Sequence, residues 1–129
     1  MCPLRFASGL VLVFWLVLGA SELAADDLCA DAQTSVEMSA CLNEHSSRAD
    51  AKLNQVYRAL MSRLDKGRQA RLKAAQRAWI AFRDRSAEFA SSAEAGGSLA
   101  SLEYTLALIA LTERRTLELE EALQRLSVP

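Results

Sequence analysis

The two prolines of this chain stand at positions 3 and 129, so between them nothing locks φ against a helix or removes a helical N–H donor. Only five glycines punctuate the same stretch. An all-β sandwich needs turn residues about every ten positions, and that class is excluded on these grounds. Apolar residues make up 51% and charged residues 24%, enough apolar side chains for a core and too few charges for a disordered chain. The 129 residues suit one domain.

The first 25 residues read as an address rather than as part of that domain. Arg5 is the only charge before a sixteen-residue uncharged run from Phe6 to Ser21, shorter than the roughly 20 residues a membrane span needs. Leu23-Ala24-Ala25 then offers a signal-peptidase site, with Ala20 a weaker one. Residues 1–25 are therefore expected to be a cleaved secretory signal and residues 26–129 a single helical domain that is periplasmic or secreted, with no stable membrane insertion after cleavage. A lipoprotein is disfavoured, because Asp27-Leu28 precede Cys29 where a small residue would be required.

Cys2 leaves with the signal, and the remaining pair, Cys29 and Cys41, is most simply one disulfide in an oxidising compartment. Closing a loop of about a dozen residues contributes about 3 kcal/mol in the chain-entropy model. The alternative is a metal or haem site built from Cys41 and His45, one helical turn apart. It lacks further ligands, since His45 is the only histidine, so no metal or cofactor is expected.

Helical periodicity marks three stretches. Thr34-Ser35-Val36-Glu37 has the form of a capping box and opens a helix reaching about Leu64. Its apolar positions Ala49, Leu53, Val56, Tyr57, Leu60 and Leu64 form one stripe of 3.6-residue period. The pattern weakens around His45-Ser46-Ser47, where a kink or a fresh start fits as well. Gly67 is expected to close this helix in a left-handed conformation.

A second helix then runs from about Gln69 to Ala90, with Leu72, Ala75, Trp79, Phe82, Ser86 and Phe89 as its packing seam. Ser91 to Ser98 reads as a loop, and Ser98 as the N-cap of a third helix to about Leu126. That helix presents Leu102, Leu106, Ile109, Thr116, Leu119 and Leu123. Short connections make consecutive helices antiparallel, so the expected fold is all-α, a small up-down bundle of three main helices with one disulfide.

The net charge of −1 conceals strong segregation. Residues 26–57 carry six acids against two bases (net −4), residues 58–85 nine bases against two acids (+7), and residues 86–129 seven acids against three bases (−4). The simplest expectation is that the basic middle helix pairs with acidic neighbours across the bundle grooves. The alternative is a basic stripe for an anionic polymer. A nucleic-acid partner is not expected at this overall charge.

The string Ala75-Gln76-Arg77-Ala78-Trp79-Ile80-Ala81-Phe82-Arg83-Asp84 is distinctive. With Gln33-Thr34-Ser35-Val36-Glu37-Met38 before Cys41, then Ala49-Asp50, Leu53-Asn54-Gln55-Val56-Tyr57, Gly96-Gly97-Ser98 and Leu111-Thr112-Glu113-Arg114, it resembles the LprI-type lysozyme-inhibitor family of small exported bacterial proteins. The resemblance runs through nearly all of the chain after the signal. It implies a protein partner, a lysozyme being the family's, and it marks Asp50, Asn54, Tyr57, Trp79, Arg83, Asp84 and Arg114 as motif residues, read here as structural. The family's second cysteine pair falls near Ala87 and Ala107, both alanine here, which leaves Cys29 and Cys41 as the bridge.

No HExxH, GxSxG, phosphate loop or CxxC appears, so no catalytic residue is assigned and no enzyme is expected. A muramidase cleft is blocked by something that projects into it, and the element best suited is the loop with Ser92, Glu94, Gly96, Gly97 and Ser98. No strongly acidic patch adjoins it. The competing reading is a periplasmic interaction or envelope-stress module without lysozyme activity.

Overall fold

The computed structural model describes residues 28–94 and 96–127, without the side chains of Glu94 and Ser98; the signal segment and its cleavage site lie outside the described residues. Three long helices follow one another: α1 (Ser35–Met61), α2 (Lys66–Ser91) and α3 (Ser98–Arg125), with a 3-10 turn at Ser92–Glu94 before α3. No strand occurs among the described residues.

The start of α1 follows from its capping box. Thr34 Oγ1 accepts from the Glu37 amide at 3.2 Å, and Glu37 Oε2 accepts from the Thr34 and Gln33 amides at 3.0 and 2.8 Å. The helix then runs unbroken through His45-Ser46-Ser47. Its end departs from expectation. Gly67 does not close α1; it lies in the first turn of α2, and Gly96 (φ +91°) is the positive-φ residue among those described. Two local devices replace it. Arg63 and Leu64 tighten into i→i−3 bonds, and the Gln69 side chain donates to the carbonyls of Met61 and Leu64 at 3.1 and 2.8 Å.

Asp65 then caps α2, its Oδ1 accepting from the Arg68 amide at 3.0 Å. Gly97, rather than Ser98, is the N-cap of α3. Gly97 offers no side-chain cap, its carbonyl accepts from the Ala100 amide at 3.2 Å, and Ser98 becomes the first helical residue.

The middle of the bundle is α3. It packs along both other helices, whereas α1 and α2 approach each other only weakly. One apolar cluster joins Leu53, Val56 and Leu60 of α1 to Leu119 of α3, with Leu72 and Trp79 of α2 against it. A second joins Cys29, Leu42 and Ile109, with Leu102 and Leu106 against them. The early half of α1 thus meets the early half of α3 and late meets late, so these two helices are parallel and α2 runs back between them in sequence. Between the clusters, Thr112 and Thr116 are buried, and the Thr116 hydroxyl donates to the Thr112 carbonyl at 2.9 Å. The Cys29–Cys41 disulfide pins the segment before α1 to its second turn.

The expected seam of α2 is corrected in part. Leu72, Trp79 and Ser86 face inward, but Ala75 is exposed, and Phe82 and Phe89 are 59% and 82% exposed. The inward positions next to Leu72 and Trp79 go instead to Gln69, Gln76, Arg83 and Ala87, the last fully buried. The row Leu72, Trp79 and Ser86 stays inward, and the second inward row is Gln69, Gln76 and Arg83 on its other side, so Ala75, Phe82 and Phe89 fall together on the outer flank of the helix. Ala107, like Ala87, is withdrawn from solvent.

Charge pairing across the grooves is corrected as well. Arg83 is the base of α2 that pairs with a carboxylate on another helix among the described residues. Arg85 pairs with Glu88 on its own helix, while Glu118 and Glu120 of α3 are taken by Arg115 and Lys52. Lys66, Arg68, Arg71, Lys73 and Arg77 are exposed and form no ion pair among the described residues.

Candidate functional site

Trp79 gathers most of the motif residues around it. The guanidinium carbons of Arg83 and Arg115 lie 5.4 and 5.9 Å from its ring centroid, within cation–π range. Arg83 Nε donates to Asp84 Oδ1 at 2.9 Å, and its Nη1 donates to Asp50 Oδ1 at 3.1 Å. Arg115 Nε donates to Gln76 Oε1 at 3.1 Å, and its Nη1 pairs with Glu118 at 2.8 Å. Both arginine side chains are largely withdrawn from water, at 17% and 16% exposed. Each therefore covers the indole while its charge is met by carboxylates. This arrangement ties α1, α2 and α3 together through Asp50, Trp79, Arg83, Asp84 and Arg115. Arg115 and Gln76 are members the sequence reading missed; the available signal was the Arg115–Glu118 spacing of three on a helix face.

Asn54 and Tyr57 join the same neighbourhood differently. With Asp50 on α1, and with Lys73, Trp79 and Arg83 on α2, they line an open groove of about 430 Å³ where the two helices diverge. Arg114 is exposed on α3 and takes no part in it.

The candidate loop sits at the opposite end from the α1–α2 turn. Ser92 is exposed in the 3-10 turn, its hydroxyl donating to the Phe89 carbonyl at 2.6 Å. Gly96 takes the left-handed conformation and Gly97 caps α3, both exposed; Glu94 closes the 3-10 turn and Ser98 opens α3. The helix directions bring the start of α1, the end of α2 and the start of α3 to this one end. Val36 (77%), Phe89 (82%) and Leu99 (46%) are all exposed there. Scattered exposed apolar residues are ordinary, but these three stand at the end of the bundle that carries a loop of small residues, and that end is called the apolar tip.

Cys29, Cys41 and His45 bring their sulfurs and an imidazole nitrogen within 4.8 Å of one another. The S–S bond joins the two sulfurs, so this cluster is a staple beside a histidine and offers no thiolate to a metal.

Among known proteins, the model of the family described as "Lysozyme inhibitor LprI" matches residues 27–119. An uncharacterized protein of Rhizobium meliloti (strain 1021) is 35% identical, the match covering 74% of this chain and 78% of the relative. No solved structure matches the chain.

Proposed function

We propose, since this chain belongs to the LprI family of lysozyme inhibitors, that it is an exported, non-catalytic protein-binding module that lowers muramidase activity by docking the tip of its α2–α3 hairpin on the enzyme. The observation that carries this reading is the apolar tip. Phe89 and Leu99 flank the Ser92–Gly97 connection, Val36 stands at the same end, and Phe89 is exposed at a cost that burial against a partner would recover. Catalysis has no support in the arrangement around Trp79, whose carboxylates are engaged by arginines in a brace between helices. Among the described residues no helix is long and apolar enough to cross a membrane.

The test is the rate of cell-wall hydrolysis by several lysozyme types, with the purified protein in micromolar excess. Inhibition of at least one type supports the reading. An unchanged rate with all of them leaves the alternative, a periplasmic interaction or envelope-stress module whose partner is another bacterial protein.

A further inference from the structure

At the α1–α2 turn, the end away from the apolar tip, a groove of about 290 Å³ runs along Leu60, Leu64, Leu72 and Leu126, with Arg68 and Arg71 on its rim. We propose that this groove binds an anionic amphiphile, the alkyl chain lying along the leucines and a phosphate or carboxylate head resting on the two arginines.

Three observations meet here. The first is the groove's composition: no carboxylate lines it, and its floor is the outer lip of the Leu53–Leu119 core cluster, with Leu64, Leu72 and Leu126 only half buried. A chain laid there extends an apolar core that the protein itself leaves open.

The second is the state of the arginines. Arg68 and Arg71 are one turn apart on α2, so both side chains serve one side of the helix. Both are exposed; Arg71 has no carboxylate partner among the described residues and Arg68 only the charge of nearby Asp65, whereas Arg48, Arg83, Arg85 and Arg115 all form close ion pairs. The acid next in sequence, Asp65, uses its Oδ1 to cap the Arg68 amide.

The third is the surrounding field. Arg58 in the last turn of α1, with Arg63 and Lys66 at the α1–α2 turn, is likewise exposed, and these bases form no ion pair among the described residues, against Asp65 as the acid of that turn. An excess of bases at one end raises the local concentration of anions.

Charge alone would suit any polyanion, and the apolar floor is what narrows the ligand to an amphiphile. At about 290 Å³ the groove is close to the lower edge of the roughly 300–1,000 Å³ typical of ligand sites, which suits a single alkyl chain. The site is separate from the hairpin tip, so it stands or falls independently of muramidase inhibition.

Calorimetric titration of the purified protein with octyl, decyl and dodecyl phosphate below their micellar concentrations tests this, with inorganic phosphate and dodecyl maltoside as controls. The expected result is affinity rising up to about fourfold per methylene until the groove is full. Arg68→Gln with Arg71→Gln, both exposed and so compatible with folding, should weaken dodecyl phosphate about tenfold. Equal affinity for inorganic phosphate and all three chain lengths would overturn the proposal in favour of plain anion binding. Undiminished binding by the double variant would overturn it too, placing the amphiphile on another apolar surface such as Phe82 and Phe89. Binding of monomeric decyl phosphate, with any co-sedimentation on phosphatidylglycerol vesicles competed away by it, supports a single-chain amphiphile in the groove. Co-sedimentation with those vesicles that decyl phosphate does not compete would overturn it, placing the lipid headgroups on another surface.

Discussion

Arg83 of α2 reaches Asp50 of α1 at 3.1 Å, spanning two helices that otherwise barely approach each other. The pair is the edge of a brace. Arg83 also holds Asp84 and covers Trp79, so one guanidinium meets two carboxylates and an aromatic ring.

The carboxylates of that brace are substantially exposed, Asp50 at 50% and Asp84 at 42%, so solvent screens them. A double-mutant cycle of Asp50→Ala and Arg83→Ala should give a coupling of only about 0.5–1 kcal/mol. Arg83→Ala alone should cost more, about 1–3 kcal/mol, because it also uncovers the indole. Urea denaturation of the four proteins measures both.

Trp79→Ala should destabilise by about 3 kcal/mol, the lower end for such truncations because the ring is only partly buried. Phe82→Ala and Phe89→Ser should change stability by less than about 0.5 kcal/mol, as exposed positions do. Thermal melts that ranked Phe89 with Trp79 would restore the seven-residue seam.

Removing the Cys29–Cys41 bridge, by reduction or as paired serines, should cost about 3 kcal/mol in the chain-entropy model, a fall in Tm of more than about 10 °C for a domain this small. The loss should begin locally. Leu28 and Ala32 pack against the Leu42–Ile109 cluster, and hydrogen exchange at the start of α1 should rise before that at its end.

The Asp65 carboxyl is held below its ordinary value of 3.8, chiefly by the hydrogen bond from the Arg68 amide. A group whose folded pKa is depressed stabilises the fold above its unfolded pKa and loses that contribution as pH falls through the folded one. Acid titration of stability should therefore show a component below pH 3.8 that Asp65→Asn removes. An identical acid limb in both proteins would show that the charge of the cap contributes nothing, since Asn keeps the hydrogen bond.

The parts of this fold legible in the sequence are those set by neighbours along the chain. Thr34 and Glu37 announce a helix start because a capping box needs only a spacing of three, and the stripe from Ala49 to Leu64 reports a face already fixed by helix geometry. What was not legible depends on which helix packs on which. Phe82 and Phe89 look like core until α3 is known to meet α2 through Gln76, Trp79, Arg83 and Ala87. Gly67 looks like a helix terminator until Gln69 is seen to take over the α1 carbonyls. The segregated charges resemble pairing partners, yet Glu118 and Glu120 of α3 go to Arg115 and Lys52, and no ion pair among the described residues reaches the bases of early α2. Of the candidate site, the loop was readable from its small residues. The apolar tip beside it was not, since Phe89 reads as part of the α2 packing seam until its exposure is seen.

The central claim rests on the hairpin tip, and it is tested most directly by the inhibition constant of this protein against a lysozyme it inhibits, compared with that of Phe89→Ser. An anchoring aromatic is worth about 2 kcal/mol or more at such an interface, so the constant should rise about thirtyfold or more, with the melting temperature unchanged. Equal inhibition by the two proteins would contradict the tip as the docking element, and absence of inhibition by the unaltered protein across all lysozyme types would contradict the function itself.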